Sequence, residues 1–164
     1  MARKARAKEK VAPNGAIFYG DPLPYPISRA VRAGDFVITS AFGDRVPLPD
    51  EQVYDREGMP LSTGARRKSL SFADEVHGTF KSVSDALALA GCTLADVVDS
   101  QVWLKDPRDF HEMNRIYATY FTENRPIRSV LQNHFMMEFR IELKVVAYRP
   151  IESGRSRSRE SNAD

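Results

Sequence analysis

The chain has 164 residues, 42% of them hydrophobic and 28% charged, and its formal net charge is +2. These values are typical of one globular domain with a core of its own and exclude a chain too polar to fold. No apolar run approaches the roughly 18 residues of a membrane span, and the charged start has no apolar stretch like that of a secretory signal. We therefore expect a cytoplasmic protein without a membrane partner.

Cysteine and histidine usage indicates neither a disulfide nor a metal centre. Cys92 is the single cysteine and follows Gly91 at the end of an Ala/Leu-rich stretch. We interpret it as a buried structural thiol in a reducing compartment. The three histidines are far apart in the chain and lack the spacing of metal ligands. They are His77, His111 and His134.

Both ends of the chain are basic. Residues 1–15 and 152–164 are rich in Lys or Arg, the second range as an Arg/Ser tract. We expect both to be disordered tails around a single domain at residues 16–151. Basic tails contact phosphate backbones without sequence preference. Because no basic-aromatic module of the kind that RNA-binding proteins use lies between them, nucleic-acid recognition is not the leading hypothesis.

The first half of the domain predicts a hairpin, a long loop and a helix. Two short extended runs, Ile27 to Val31 and Phe36 to Ser40, are joined through Gly34, whose freedom to adopt a positive φ suits a tight turn. Proline, glycine and charged residues dominate 41–63, which predicts a long loop. Apolar residues then recur at helical spacing from Ser69 to Ala90.

The second half predicts a strand, a second helix and two more strands. The predicted strand runs from Val97 to Leu104, and Asp106 is suited to cap a helix that ends near Phe121. Further strands are predicted at 128–132 and 139–148. This order of elements predicts an α+β sandwich in which two helices cover one face of a mixed β-sheet.

Two charged residues in the last two strands are the candidate catalytic pair. The planar guanidinium of Arg128 matches a carboxylate in two parallel hydrogen bonds, and the carboxylate of Glu142 can position or deprotonate a water molecule. We expect the two residues on neighbouring extended segments, which suggests hydrolysis of a small anionic substrate. The alternative is that Arg128 and Glu142 pair with each other or face solvent.

Several phrases, in this order, resemble the Rid/YjgF reactive-intermediate deaminase family over roughly residues 25–148. The phrases that carry the resemblance are 33–40 (AGDFVITS), 90–98 (AGCTLADVV), 109–114 (DFHEMN), 125–129 (RPIRS) and 141–143 (IEL). Agreement of several spaced motifs in order is more specific than any one of them.

The resemblance implies a chorismate-mutase-like fold and a homotrimer with pockets between subunits. It also implies hydrolysis of enamine or imine acids, such as 2-aminoacrylate, to 2-oxo acids and ammonia, with no metal or organic cofactor. In this family the position of Arg128 clamps the substrate carboxylate, and the position of Glu142 holds the attacking water. The positions that match the rest of the pocket are Ile27, Ser40, Ala41, Phe42, Asn114 and Val130.

The chain departs from the family pattern at several of these positions. Ile27 replaces a pocket tyrosine, although Tyr25 lies two residues upstream, Ala41 and Phe42 follow Thr-Ser where glycine is usual, and Val130 replaces a frequent cysteine. We expect Ala41 and Phe42 to narrow or reshape the pocket, which would suit a larger or more apolar imine acid. Two alternatives stay open: a non-catalytic protein that binds 2-oxo acids, and an RNA-directed endoribonuclease or translation inhibitor.

Overall fold

The computed structural model of the protein describes residues 9–20, 27–44, 56, 70–135 and 139–151. The strands in these ranges are β1 (Glu9–Val11), β2 (Ile17–Tyr19), β3 (Ala30–Ala33), β4 (Phe36–Thr39), β5 (Val97–Leu104), β6 (Ile127–Gln132) and β7 (Ile141–Tyr148), and the helices are α1 (Phe72–Leu89) and α2 (Phe110–Tyr120). The strands form one mixed sheet in the order β1-β2-β3-β4-β7-β5-β6. Both helices pack on one face of it, which confirms the predicted α+β sandwich.

The sheet begins earlier in the chain than the sequence predicted. β1 pairs antiparallel with β2, and β2 with β3, so residues 9–15 belong to the domain and the tail predicted for 1–15 is too long. β1 is three residues long and exposed throughout, which leaves no apolar alternation to identify it. Residues 1–8 and 152–164 lie outside the described residues, as does most of the loop predicted for 41–63.

β3 and β4 form the predicted hairpin, with Ala33 paired to Phe36 across the turn. Gly34 adopts a φ of 59°, a backbone conformation that glycine accepts without steric cost. The first strand of the hairpin starts at Ala30 and not at the predicted Ile27, which lies outside the sheet and is 44% exposed.

α1 agrees with the predicted helix to within three residues at each end. Ser71 is the N-cap, and its hydroxyl accepts the backbone N–H of Asp74 at 3.1 Å, which satisfies one of the free donors of the first turn. Apolar side chains along one stripe are buried, among them Val76, Phe80 and Leu87. No helix in the described ranges is long and apolar enough to cross a membrane.

β5 lies between β7 and β6, antiparallel to the first and parallel to the second. β6 and β7, which were predicted to be neighbours, are therefore separated by one strand. Side chains of paired residues point to the same side of a sheet. Val102 and Leu143 are paired and buried, which defines a core face beneath the helices. Trp103 and its partners point to the other side, the open face, which no described helix covers.

Candidate functional site

Arg128 lies on the core face of β6, against α2. Its Cα is in register with that of Ser100 on β5, and its guanidinium carbon lies 4.4 Å from the centroid of the Tyr117 ring. Nη1 of Arg128 also lies 3.9 Å from Sδ of Met113. The side chain is half-buried, and within the described ranges it forms no ion pair with a carboxylate. The five N–H donors of a guanidinium suit an anion such as a carboxylate.

Tyr117 supports Arg128 from α2. Tyr117 is 7% exposed, its ring centroid lies 4.7 Å from that of Phe121, and its hydroxyl lies 2.7 Å from Oγ of Ser100. Ser100 is itself only 1% exposed. Burial raises the pKa of the Tyr117 phenol, against the opposing effects of the Ser100 hydrogen bond and the Arg128 charge. The phenol is therefore neutral at physiological pH and takes part as a hydrogen-bonding group.

Glu142 lies on the open face of β7, half-buried. It is in register with Trp103 of β5, which in turn is in register with Leu131 of β6. Arg128 points to the core face, so a single chain directs the two candidate catalytic groups to opposite sides of the sheet. This arrangement disagrees with the alternative in which Arg128 and Glu142 form an ion pair within the chain.

The segment from Ser40 to Phe42 follows β4 and is held by backbone hydrogen bonds. The Ser40 hydroxyl donates to the carbonyl of Ser28 at 2.7 Å. Phe42 exchanges both of its backbone hydrogen bonds with Leu143, at 3.0 and 2.9 Å, and is 1% exposed. The Phe42 ring therefore belongs to the core of this chain, and the expectation that Ala41 and Phe42 narrow or reshape the pocket stays a prediction.

The other four predicted pocket positions lie in four parts of the fold. Val130 shares the core face of β6 with Arg128 and packs against the core. Asn114 is half-buried on α2, next to Met113. Ala41 is half-buried between Ser40 and Phe42, and Ile27 is exposed before β3. Val130 and Asn114 thus share an element or a neighbour with Arg128, and Ile27 and Ala41 share neither.

Buried charge anchors the start of β7, the strand that carries Glu142. Glu75 of α1 is 8% exposed, and its Oε1 accepts the backbone N–H of Arg140 at 2.6 Å. Arg140 also forms an ion pair with Asp109 at 2.7 Å. Burial raises the pKa of the Glu75 carboxyl, Arg140 opposes this rise, and Asp44 adds to it.

Two residues of this region were missed as functional candidates. Neither Tyr117, on the second predicted helix, nor Ser100, on the strand before it, was singled out from the sequence. A serine within the apolar strand β5 is the one signal that could have been used, because a buried hydroxyl needs a hydrogen-bond partner.

Within the described ranges, no group of three or more His, Cys, Asp or Glu could hold a metal ion.

Sequence comparison relates the chain to a known family. Residues 24–149 match the model of the family described as Endoribonuclease L-PSP. A RutC family protein of Pyrococcus horikoshii is 29% identical over 137 residues, which are 81% of this chain and 97% of the relative. A human protein named 2-iminobutanoate/2-iminopropanoate deaminase is 35% identical over 103 residues, 61% of this chain and 74% of the relative.

Comparison with solved structures shows that the chain shares its fold with proteins named as members of this family or similar to them. Yeast Mmf1 superimposes with a TM-score of 0.59 at 24% identity, over 76% of this chain and 87% of the yeast chain. The YjgF gene product of E. coli gives a TM-score of 0.57 at 24% identity, over 76% of this chain and 88% of the E. coli chain. At this identity the likeness shows the fold, and it confirms the predicted chorismate-mutase-like architecture.

Proposed function

Because the chain belongs to the Endoribonuclease L-PSP family, also called the YjgF/Rid family, we propose that it hydrolyses small imine or enamine acids related to 2-aminoacrylate. The products are a 2-oxo acid and ammonia, and no cofactor takes part. The observation that carries the proposal is the Arg128 guanidinium, half-buried over an aromatic ring. The names of the human and rat deaminases, 35% and 37% identical to this chain, add support.

The proposed chemistry needs positioning and one proton carrier. Arg128 binds the substrate carboxylate through two parallel N–H···O bonds, which orients the neighbouring C=N carbon. Water adds to that carbon, the C=N electron pair moves to nitrogen, and Glu142 transfers the proton of the water to nitrogen. Glu142 then carries the hydroxyl proton to the amine nitrogen, and the C–N bond breaks as the oxygen forms the C=O bond, so that ammonia leaves. An enamine first gains a proton on carbon and loses one from nitrogen to become the imine.

We place this site between two subunits of a homotrimer. Arg128 and Glu142 point to opposite faces in one chain, so one substrate could contact both groups if Glu142 came from a neighbouring subunit. The open face also carries exposed apolar side chains: Phe36 is 46% exposed, Ile38 36% and Leu131 48%. Apolar surface of this kind is typical of protein interfaces.

The proposal includes a cytoplasmic location. Its support is Cys92, a free and buried thiol, since free thiols are kept reduced in the cytoplasm.

A coupled assay tests the proposed activity. A pyridoxal-phosphate dehydratase releases 2-aminoacrylate or 2-iminobutyrate in situ, and the formation of 2-oxo acid is followed with and without the protein. We expect the wild-type protein to accelerate hydrolysis and Arg128→Ala to lose at least about a hundredfold in kcat/KM, because the substrate is no longer oriented. Arg125→Ala is the matched control, since Arg125 is exposed and lies three residues earlier.

Other outcomes of the same assay would point to the alternatives. A folded Arg128→Ala protein that keeps the wild-type rate would refute the carboxylate clamp. Saturable binding of 2-oxobutyrate that requires Arg128, without acceleration of hydrolysis, would indicate a non-catalytic binding protein. RNA cleavage that weakens steeply with salt would indicate the RNA-directed alternative.

A further inference from the structure

We infer that Tyr117 and Ser100 form a positioning device for Arg128. The Tyr117 ring, held in place by the Ser100 hydroxyl, fixes the plane of the guanidinium and so raises its affinity for a carboxylate. The effect on substrate rests on the proposed function, whereas the positioning of Arg128 concerns the conformation of this chain alone.

The orientation of the Tyr117 ring is fixed on several sides. The Phe80 ring meets it edge-on, with the centroids 5.8 Å apart, and Phe121 packs at 4.7 Å. At its far end the hydroxyl contacts Oγ of Ser100 at 2.7 Å. Ser100 also contacts the carbonyl oxygen of Ile127 at 3.3 Å. The ring is thereby tied both to β5 and to the residue that precedes Arg128.

This fixed ring determines where the Arg128 side chain lies. The guanidinium carbon is 4.4 Å from the ring centroid, and Met113, which is fully buried, borders one terminal nitrogen at 3.9 Å. A guanidinium is weakly hydrated and stacks well on aromatic faces. An arginine held in this way has less conformational freedom to lose when a carboxylate binds at its edge, so binding is tighter.

Tyr120 provides a matched control on the same helix. Its ring stacks on Phe80 with centroids 3.9 Å apart, and its hydroxyl lies 2.7 Å from Nδ1 of His77. Tyr120 thus has an aromatic neighbour and a hydrogen-bonded hydroxyl, as Tyr117 does, but among the described residues it does not contact Arg128. Loss of packing alone would affect both tyrosines, whereas loss of positioning would affect only Tyr117.

The kinetic part of the test compares Tyr117→Leu, Tyr117→Phe and Ser100→Ala with Tyr120→Leu. Tyr117→Leu removes the stacking ring, so we expect KM for the imine acid and Kd for 2-oxobutyrate to rise roughly two- to thirty-fold with kcat nearly unchanged. Tyr117→Phe and Ser100→Ala both remove the hydrogen bond between Tyr117 and Ser100, so we expect smaller increases that do not fully add in the double variant. The increase is the larger of the two in Ser100→Ala, which also loses the contact with the carbonyl of Ile127. Equal effects of Tyr117→Leu and Tyr120→Leu would overturn the inference.

The structural part of the test needs no substrate. In NMR spectra, the Nε–H signal of Arg128 is assigned by its loss in Arg128→Met. We expect the ring current of Tyr117 to displace this signal in the wild type, Tyr117→Leu to abolish the displacement and Tyr120→Leu to leave it. If Tyr117→Leu does not fold, Ser100→Ala and Tyr117→Phe must each change the displacement. An Arg128 signal that none of these variants moves would overturn the inference.

These two parts separate the inference from the proposed function. If the wild-type protein neither hydrolyses imines nor binds 2-oxobutyrate, the proposed function fails, and the NMR signal still decides whether Tyr117 positions Arg128. If hydrolysis occurs and requires Arg128 but the Tyr117 variants match wild type in KM and in the NMR signal, the positioning inference fails alone.

Discussion

At the residue scale, Glu75 is a buried carboxyl that links pH to stability. Burial disfavours its charged form and raises its pKa above the ordinary value of 4.5, with a smaller opposing effect from Arg140 and a further rise from Asp44. The folded state therefore binds more protons than the unfolded state. The contribution of Glu75 to stability is complete below its unfolded pKa and is lost as the pH rises through the folded pKa.

Urea unfolding of the wild type and Glu75→Gln tests this linkage. We expect the unfolding free energy of the wild type minus that of Glu75→Gln to increase as the pH falls from about 7.5 towards the pKa of Glu75 in the unfolded state. The reason is that only the wild type takes up a proton at this position. Comparison with Glu75→Gln cancels the carboxyl groups that both proteins share. A difference that is constant with pH, or that moves against the wild type at low pH, would contradict the raised pKa.

At the scale of elements, the segment after β4 is fitted closely to α1. Asp44 is 6% exposed, and its carboxyl group lies against the backbone of Gly78, where a methyl group would overlap it. In an open helix interior, alanine stabilises by about 1 kcal/mol relative to glycine. Here we expect Gly78→Ala to lower the unfolding free energy by about 1–3 kcal/mol, measured by urea denaturation, because Asp44 must move.

The Asp44→Ala background is the control for this effect. Once the carboxyl group is absent, we expect Gly78→Ala to leave the unfolding free energy unchanged or to raise it, because alanine has the higher helix propensity. If Gly78→Ala stabilises the protein that retains Asp44, the close fit between the segment and α1 is refuted.

The elements also differ in how well the sequence predicted them. The bounds of β5 were predicted to the residue and those of α1 to within three residues, because β5 is rich in apolar residues and α1 has a long apolar stripe at helical spacing. β1 and β2 were missed, since three residues each are too few to show a period. The position of β5 between β6 and β7 depends on pairing between distant segments, which no local pattern encodes.

The candidate site shows the same division between local and long-range information. Arg128 and Glu142 could be chosen by residue type and resemblance, but their faces depend on strand register, because each one-residue step reverses the side. Tyr117 and Ser100 are seventeen residues apart in the chain, so their hydrogen bond follows only from the packing of α2 on the sheet. The packing of Phe42 in the core could likewise not be derived from its position after β4.

At the scale of the whole molecule, we propose that two subunits share one site. Arg128 and Glu142 lie on opposite faces of the same sheet, and the apolar open face would be covered by neighbouring subunits. In a trimer of this kind, each substrate would contact Arg128 of one subunit and Glu142 of the next. Single substitutions at either position would then inactivate the same site from two different chains.

Mixing two inactive variants tests this claim most directly. Arg128→Ala and Glu142→Gln proteins are purified, sized in solution as trimers, unfolded together in equal amounts and refolded, and imine hydrolysis is then measured. If the site joins two subunits, every mixed trimer contains one intact pair, so we expect recovery of about a quarter of the wild-type activity, while each variant refolded alone stays inactive. Mixed trimers that form and remain inactive would contradict a site shared between subunits.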